Sequence, residues 1–202
     1  MLKHKVDAKK KVAAIGDAAK FLHSWSKKPL TVGSVTPSGK ALSRMMARQV
    51  DLASAGPVIE IGPGTGPVTK ALIERGIDES RLILVEYNPD FVRLLQRRHP
   101  RATVLRGDAY ALKETVAGVV TEPVAAVVSS LPLITRPEPV RHDLLRQSFD
   151  MMLPGAPFVQ FTYSLFSPIP LLHGEFTWTV SPRVWLNMPP ARVWVYRRGQ
   201  VS

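Results

Sequence analysis

The chain has 202 residues, 27 lysines and arginines against 16 aspartates and glutamates, and a formal net charge of +11. This length suits one domain with a buried core, and the lack of cysteine excludes disulfides, a thiol nucleophile and a cysteine-based zinc site. The five histidines show no metal-ligand spacing, no apolar run could span a bilayer, and the N-terminus is too charged for a secretory signal, so we expect an intracellular protein without a metal.

The first 28 residues are the most basic part of the chain and predict an amphipathic helix. They contain eight lysines against Asp7 and Asp17, and apolar residues between Val12 and Trp25 share one helical face that Lys11 interrupts. Three interpretations fit: a helix that binds an anionic membrane, a helix packed on the domain with its lysines in water, and a nucleic-acid-binding segment. We expect a membrane-binding helix at residues 1–30 and one domain at residues 31–202.

A helix signal begins at Thr36-Pro37, and the apolar strand after it leads into three alternate glycines, Gly62, Gly64 and Gly66, with Glu60 two positions ahead of them. Glycines allow the positive φ of a tight turn and leave no Cβ, and the following helix directs its N-terminal amides to the same place. A tight packing turn is the alternative. The spacing is shorter than the GxGxxG of dinucleotide sites, which favours a nucleotide-like ligand without a pyrophosphate.

Two further acidic residues close the next strands. Glu86 follows Gly66 by 20 positions, where doubly wound folds place a carboxylate that binds ribose hydroxyls, and Asp108 ends the strand after that. An acidic residue at such a place can instead cap a helix, but Asn88-Pro89 already has the pattern of an N-cap followed by proline. We therefore expect the Glu86 carboxylate to be left for a ligand, at an edge that all the parallel strand ends share.

The rest of the chain alternates helix and strand signals. The expected helices contain Val68, Leu72 and Ile73; Phe91, Leu94 and Leu95; and Leu144, Leu145, Phe149 and Met152, and the later strands cover residues 124–130, 158–163, 176–180 and 193–196. These segments make seven strands without an internal repeat. They predict an α/β fold with a doubly wound sheet closed by an antiparallel pair, six strands being parallel and one antiparallel.

Over about residues 31–200 the order of these motifs resembles the S-adenosylmethionine (SAM)-dependent methyltransferases, which have a Rossmann-like fold. The resemblance implies SAM as the cofactor. It implies that the glycines face the methionine part, with Glu60 near its amino group. It also implies that Glu86 holds the ribose, while Asp108 and the Ala109 amide bind the adenine edge. The cofactor-binding residues implied in this way are Thr36, Glu60, Gly62, Gly64, Gly66, Glu86, Tyr87, Asp108, Ala109 and Ser129.

The end of the strand at residues 127–133 separates possible substrates. In rRNA adenine dimethyltransferases this place carries Asn-Leu-Pro-Tyr, whose ring stacks on a flipped-out base. Here Ser130 stands for the Asn and Leu133 for the Tyr. Bacterial phospholipid N-methyltransferases of the PmtA type are more similar at three segments, residues 129–133, 160–164 and 187–194. That resemblance implies Ser129, Ser130 and Tyr163 as catalytic residues.

The segment from Leu165 to Leu172 contains five bulky apolar side chains and two prolines where a polar loop is usual. It is either a lid that contacts the bilayer or acyl chains, or a loop folded back over the core.

The resemblance thus implies a peripheral enzyme at the inner face of the cell membrane that methylates phosphatidylethanolamine and its mono- and dimethylated forms toward phosphatidylcholine, with an anionic membrane surface as a partner and no nucleic acid. Tyr163 and Asp108 are candidate proton acceptors, and Lys27, Lys28 or Arg136 are candidates for the lipid phosphate. An rRNA adenine N-methyltransferase and a non-catalytic SAM-fold module that binds membranes remain the alternatives.

Overall fold

Seven strands form one sheet in the structure, a computed structural model that describes residues 37–170, 175–187 and 189–199. The strands are β1 Val58–Ile61, β2 Leu82–Glu86, β3 Thr103–Arg106, β4 Ala126–Ser129, β5 Phe158–Thr162, β6 Phe176–Val180 and β7 Arg192–Arg198. Their order is β3-β2-β1-β4-β5-β7-β6. β7 pairs antiparallel with both β5 and β6, and the other pairs are parallel, so six strands share one direction and one opposes them, which confirms the expected sheet.

The helices that the sequence predicts within the described part are present, and several short ones were not predicted. The α-helices are α1 Pro37–Ala47, α2 Pro67–Arg75, α3 Pro89–Arg98, α4 Leu112–Val116 and α5 Glu138–Met151, and the 3₁₀ helices are Glu79–Arg81, Ala109–Ala111 and Leu133–Thr135. Asn88 caps α3 by accepting from the Asp90 amide at 2.8 Å, as expected. Gly76, with φ +114°, ends α2.

Two apolar cores lie on the two faces of the sheet, because alternate residues of a strand point to opposite faces. Val58 of β1 packs in the core that includes α1 and α2. Ile59 and Ile61 pack in the other, which includes α5. The same alternation places Glu60 on the face of α1 and α2. An acidic side chain therefore lies inside an apolar layer.

The first expected unit, the basic helix at residues 1–30, lies outside the described residues, as does Thr36. Among the helices that the structure does describe, none is long and apolar enough to cross a membrane.

The strand order reverses direction between the neighbours β1 and β4. Ligands of open α/β sheets bind beyond the carboxyl ends of the strands at such a point.

Candidate active site

A cavity of about 540 Å³ opens at the carboxyl edge of the sheet. Each of the first four strands contributes to it: Gly62 follows β1, Glu86 ends β2, Asp108 follows β3, and Leu131 and Pro132 follow β4. The volume lies in the range of about 300 to 1,000 Å³ that is usual for small-molecule sites. The three acidic strand ends expected from the sequence do meet at one edge, but only Glu86 and Asp108 line the cavity.

The three glycines of the turn have different surroundings, although their φ values are all positive at +69°, +56° and +82° in chain order. A Cβ on Gly62 would lie 2.7 Å from the Leu131 side chain, so this glycine lets the ends of β1 and β4 approach each other. A Cβ on Gly66 would lie 3.1 Å from Leu95. At Gly64 no described atom lies within 4 Å of that position. Gly64 is therefore the glycine of the turn with open space beside it, whereas Gly62 is the one that lines the cavity.

Glu86 holds the turn against the end of β2. Its Oε2 accepts from the Gly64 amide at 3.0 Å, and its Oε1 accepts from the Asn88 amide at 2.8 Å. The expectation that this carboxylate is left over is therefore wrong, because both oxygens already bind backbone groups. Each oxygen keeps a second lone pair, and the side chain lines the cavity, so Glu86 can still accept from a ligand hydroxyl.

Glu60 is fully buried and does not belong to the cavity wall. The Thr69 hydroxyl of α2 donates to its Oε2 at 2.6 Å. Burial raises the pKa of Glu60 to about 8, although the hydrogen bonds from Thr69 oppose the shift. Glu60, which was expected near the cofactor amino group, thus lies buried within β1 beside Thr69, where its carboxyl group is protonated at neutral pH.

The wall after β3 combines a carboxylate with aromatic surfaces. Asp108 is exposed and caps the Ala109–Ala111 helix by accepting from the Tyr110 amide at 2.9 Å, while Ala109 is buried. Tyr87, which follows β2, lines the same cavity and has 75% of its surface exposed. Asp108, Ala109 and Tyr87 therefore line one cavity, and their acceptor oxygens and aromatic surface suit a flat polar ring.

The two serines at the end of β4 form hydrogen bonds with backbone groups. Ser129 is fully buried, and its Oγ accepts from the Leu131 amide at 3.4 Å. The amide of Ser130 donates to the carbonyl of Ile61 at 2.9 Å, which extends the pairing of β4 with β1. Neither serine lines the cavity, but both position Leu131 and Pro132, which do.

A smaller cleft lies beyond Leu131 and Pro132 and shares both residues with the cavity. Tyr163 lines this cleft together with Leu133, which is 1% exposed. Burial raises the pKa of the Tyr163 phenol, and a hydrogen bond with the Asn187 side chain partly offsets the shift. Of the three residues expected to be catalytic, Tyr163 lines the cleft, whereas Ser129 ends β4 and Ser130 follows it, directly before the Leu131 and Pro132 that line the same cleft.

Two contacts at the site were not predicted. The Gln160 amide group, which is buried, donates from Nε2 to the Leu131 carbonyl at 3.0 Å and so fixes the segment between the cavity and the cleft. The sequence signal that could have indicated this contact is the polar Gln160 at the centre of the largely apolar strand β5. Arg136 places its guanidinium 4.7 Å from the centre of the Tyr110 ring, and both residues line the cavity. The sequence marks Arg136 as a candidate for binding the lipid phosphate, whereas no sequence pattern marks its aromatic partner Tyr110 as a site residue.

The lining fits a nucleoside with an amino acid attached. Carboxylates can accept from ribose hydroxyls and from an adenine amino group, the aromatic walls can cover a base, and the empty space at Gly64 leaves room for a polar chain. Within the described ranges no group of three His, Cys, Asp or Glu side chains is arranged to hold a metal ion.

Comparisons with known proteins agree with this fit. Residues 40–132 match the family model described as ribosomal RNA adenine dimethylase. The ornithine lipid N-methyltransferase of Singulisphaera acidiphila is 32% identical over 185 residues, which cover 88% of this chain and 94% of that protein. The ribosomal RNA small subunit methyltransferase A of Phenylobacterium zucineum is 37% identical over 94 residues, which cover 45% of this chain and 31% of that protein.

A solved structure supports the fold. The CcbJ methyltransferase of Streptomyces caelestis superimposes with a TM-score of 0.57 and 14% identity over 81% of this chain and 90% of that chain. The sheet order, the glycine turn, the acidic strand ends and the similarity over most of the chain point the same way. The protein is a SAM-dependent methyltransferase and belongs to the family that contains the ornithine lipid N-methyltransferase of Singulisphaera acidiphila.

Proposed function

We propose that the enzyme transfers methyl groups from SAM to the primary amine of phosphatidylethanolamine, successively toward phosphatidylcholine, at a membrane surface. The observation that carries the choice of a lipid is where each similarity ends. Similarity to the rRNA adenine dimethylase family stops at residue 132, after the cofactor half, whereas similarity to a lipid N-methyltransferase covers 88% of the chain. The residues that follow position 132 line the cleft in which a substrate would lie.

The buried state of Leu133 supports the same choice. A flipped base needs a flat partner, and base stacking on an aromatic side chain contributes about 1 to 3 kcal/mol. The aliphatic side chain at this position is 1% exposed, so it presents no stacking surface. A small flexible amine needs none.

The proposed cofactor contacts follow the cavity wall. Glu86 accepts from the ribose hydroxyls, Asp108 and Ala109 bind the adenine edge, and Tyr87 covers the base. The methionine part lies along the open turn at Gly64. Glu60 acts indirectly, through its hydrogen bond to Thr69 of the helix after the turn, while contacts from Thr36 remain a prediction outside the described residues.

SAM supplies an activated methyl group, so the chain's own task is to align a substrate nitrogen with it, and positioning alone can contribute several kcal/mol. We propose that Leu131 and Pro132, which separate the cavity from the cleft, mark the place of transfer. Because burial raises its pKa, Tyr163 stays a neutral phenol and is a poor proton acceptor. Its ring can instead contact the increasingly methylated ammonium through cation–π attraction.

A second lipid substrate, ornithine lipid, is favoured by one specific observation, the 32% identity to an ornithine lipid N-methyltransferase over 88% of the chain. Ornithine lipid, like phosphatidylethanolamine, carries a primary amine a few atoms from an anionic group. Arg136 is exposed at the rim of the cavity and can pair with either a phosphate or a carboxylate. Both lipids therefore suit the same arrangement of charges.

The test is methyl transfer from labelled SAM by the purified enzyme to vesicles with phosphatidylethanolamine, vesicles with ornithine lipid, and ribosomal RNA. We expect label in phosphatidylethanolamine and its methylated products. Label confined to ornithine lipid would move the assignment to the second lipid, and label confined to RNA would contradict a lipid substrate. The Gly64→Val variant, which should not bind SAM, serves as the inactive control.

A further inference from the structure

The connection between β6 and β7 contains a tight turn whose two corner residues are large and apolar. The Asn187 amide donates to the Val184 carbonyl at 3.2 Å, which places Trp185 and Leu186 at the corners. These side chains are 73% and 77% exposed. Turn corners normally carry glycine, proline, asparagine, aspartate or serine. Trp185 and Leu186 at these positions forgo the favourable free energy of burying apolar surface. A partner that covers them would therefore be stabilised by that burial.

The turn is held firmly from below, so its exposure does not result from a loose loop. Val184 is buried, and its amide donates to the Ala191 carbonyl at 2.8 Å. Asn187 is buried as well, and its Nδ2 donates to the Pro189 carbonyl at 2.8 Å. The base of the turn belongs to the folded domain, while its tip projects from it.

A second pair of exposed apolar residues lies in the connection after β5. Leu165 is 60% exposed and Phe166 is 51% exposed, although Ile169 of the same segment is fully buried. The Ser167 Oγ lies 2.7 Å from the hydroxyl of Tyr196 on β7, which ties this connection to the sheet. The loop expected at residues 165–172 is thus partly folded back and partly exposed, with residues 171 and 172 outside the described part.

Both pairs lie at the edge of the sheet that carries the cavity. β5 and β6 run in the same direction, so the connection after β5 starts at the carboxyl edge and the connection after β6 starts there too. The hydrogen bond between the Tyr163 and Asn187 side chains joins the two connections directly beside the cleft. Any partner that covers the apolar tips therefore lies next to the substrate cleft.

The charges around the tips indicate what this partner is. Residues 164–170 and 181–187 contain no aspartate or glutamate, and the Arg183 guanidinium lies 5.4 Å from the centre of the Trp185 ring. Tryptophan beside arginine, with aliphatic residues at the tip, is the composition of segments that lie at a bilayer interface, and the chain's net charge of +11 favours anionic lipid. A patch for a soluble protein needs no such positive bias.

We propose that Leu165, Phe166, Arg183, Trp185 and Leu186 form a membrane-docking surface that inserts into the interface of an anionic bilayer and turns the cleft toward it. This inference rests on the proposed lipid substrate, whose amine would then reach the site while the acyl chains remain in the bilayer. The surface belongs to the folded domain and is distinct from the basic N-terminal segment.

Vesicle sedimentation with the full chain tests the surface, using vesicles of phosphatidylethanolamine and phosphatidylglycerol. The double variant Trp185→Ser/Leu186→Ser should bind about tenfold or more weakly, since losing one inserted apolar side chain changes partitioning by roughly that factor. Leu52→Ser is the matched control, because Leu52 is 45% exposed near Gly76, at the opposite edge of the sheet. Trp185→Phe should keep its binding but lose part of the tryptophan quenching by brominated lipid.

Methylation assays separate this surface from the proposed function. The double variant should lose methylation of phosphatidylethanolamine in vesicles but keep methylation of the same lipid in detergent micelles. If the wild type methylates no lipid in either form, the proposed function fails, and vesicle binding still tests the surface. Vesicle binding by the double variant equal to that of the wild type, or an equal loss in Leu52→Ser, would overturn the docking surface.

Discussion

The Glu86 carboxylate and the Gly64 amide, 22 residues apart in the chain, are joined by a hydrogen bond of 3.0 Å. This contact crosses from the end of β2 to the turn after β1. With the second bond, from the Asn88 amide, it fixes the position of the exposed turn relative to the cavity wall. Glu86 therefore has two tasks, since it shapes the turn and offers acceptor oxygens to the cavity.

Replacing Glu86 should weaken SAM binding more than it destabilises the fold. Glu86→Gln loses the charge and one acceptor oxygen, and a hydrogen bond to a charged group contributes about 1.5 to 3 kcal/mol, so we expect an affinity about tenfold to a hundredfold lower by calorimetry. Asp78→Asn is the control, because Asp78 also accepts from a backbone amide but lies before β2 at the opposite edge. Unchanged SAM affinity in Glu86→Gln would contradict the assignment.

Gly64→Val should fold and fail to bind SAM. A Cβ at this position would have no described atom within 4 Å, so the main cost is the left-handed backbone, roughly 1 to 3 kcal/mol. Gly155→Val is closely matched, because Gly155 has φ +74° and equally open space in a distant turn. Both variants should lose similar thermal stability, while only Gly64→Val loses SAM binding. Normal binding by Gly64→Val would show that the cofactor does not lie against the turn.

The fold was predictable because its signals are local. Seven apolar segments, the turn glycines and the Asn88 cap could be recognised one at a time, and each lies where the pattern placed it. The short helices Ala109–Ala111 and Leu112–Val116 were missed because a few residues give no helical period. That the strand ends meet at one edge could be predicted from the parallel topology alone.

The chemistry of the site was less predictable, because it depends on distances between segments. The sequence marks Glu60 as acidic but not as buried against Thr69, and it marks Glu86 as unneeded for a cap but not as bound to Gly64. The exposure of Trp185 could not be predicted either, because the sequence does not show whether an apolar residue in a connection packs against the core. Such properties arise only when the sheet is assembled.

Glu60 should make stability depend on pH. Its pKa is raised from 4.5 to about 8, so between these values the folded chain holds a proton that the unfolded chain releases, and the free energy of unfolding falls as the pH rises. Glu60→Gln keeps an acceptor for Thr69 without titrating, so its melting temperature should fall less between about pH 5 and about pH 9. The exposed Glu122 supplies the control Glu122→Gln. Parallel curves for wild type and Glu60→Gln would contradict the buried protonated state.

Deleting residues 1–24 should weaken binding to anionic vesicles and change SAM affinity less. The deletion removes six lysines, at positions 3, 5, 9, 10, 11 and 20, each of which contributes about 1 kcal/mol near an anionic surface. Added salt should reduce the wild-type binding by screening. Sedimentation with anionic and neutral vesicles measures the first effect, and calorimetry with SAM measures the second. Full vesicle binding by the shortened chain would place the anchor in the docking surface instead.

Two variants of Tyr163 should distinguish proton transfer by its phenol from substrate contact through its ring. Burial raises the pKa of its phenol, so the phenolate that could accept a proton is scarce at neutral pH. The ring also packs 5.5 Å from that of Phe161 and lines the cleft. Tyr163→Phe should therefore keep kcat/KM for phosphatidylethanolamine within about threefold, whereas Tyr163→Ala should lose more, because it removes the ring itself. A general base, by contrast, typically contributes about a hundredfold or more. A loss of that size in Tyr163→Phe, with a changed pH profile and SAM binding intact, would return the phenol to the role of proton acceptor.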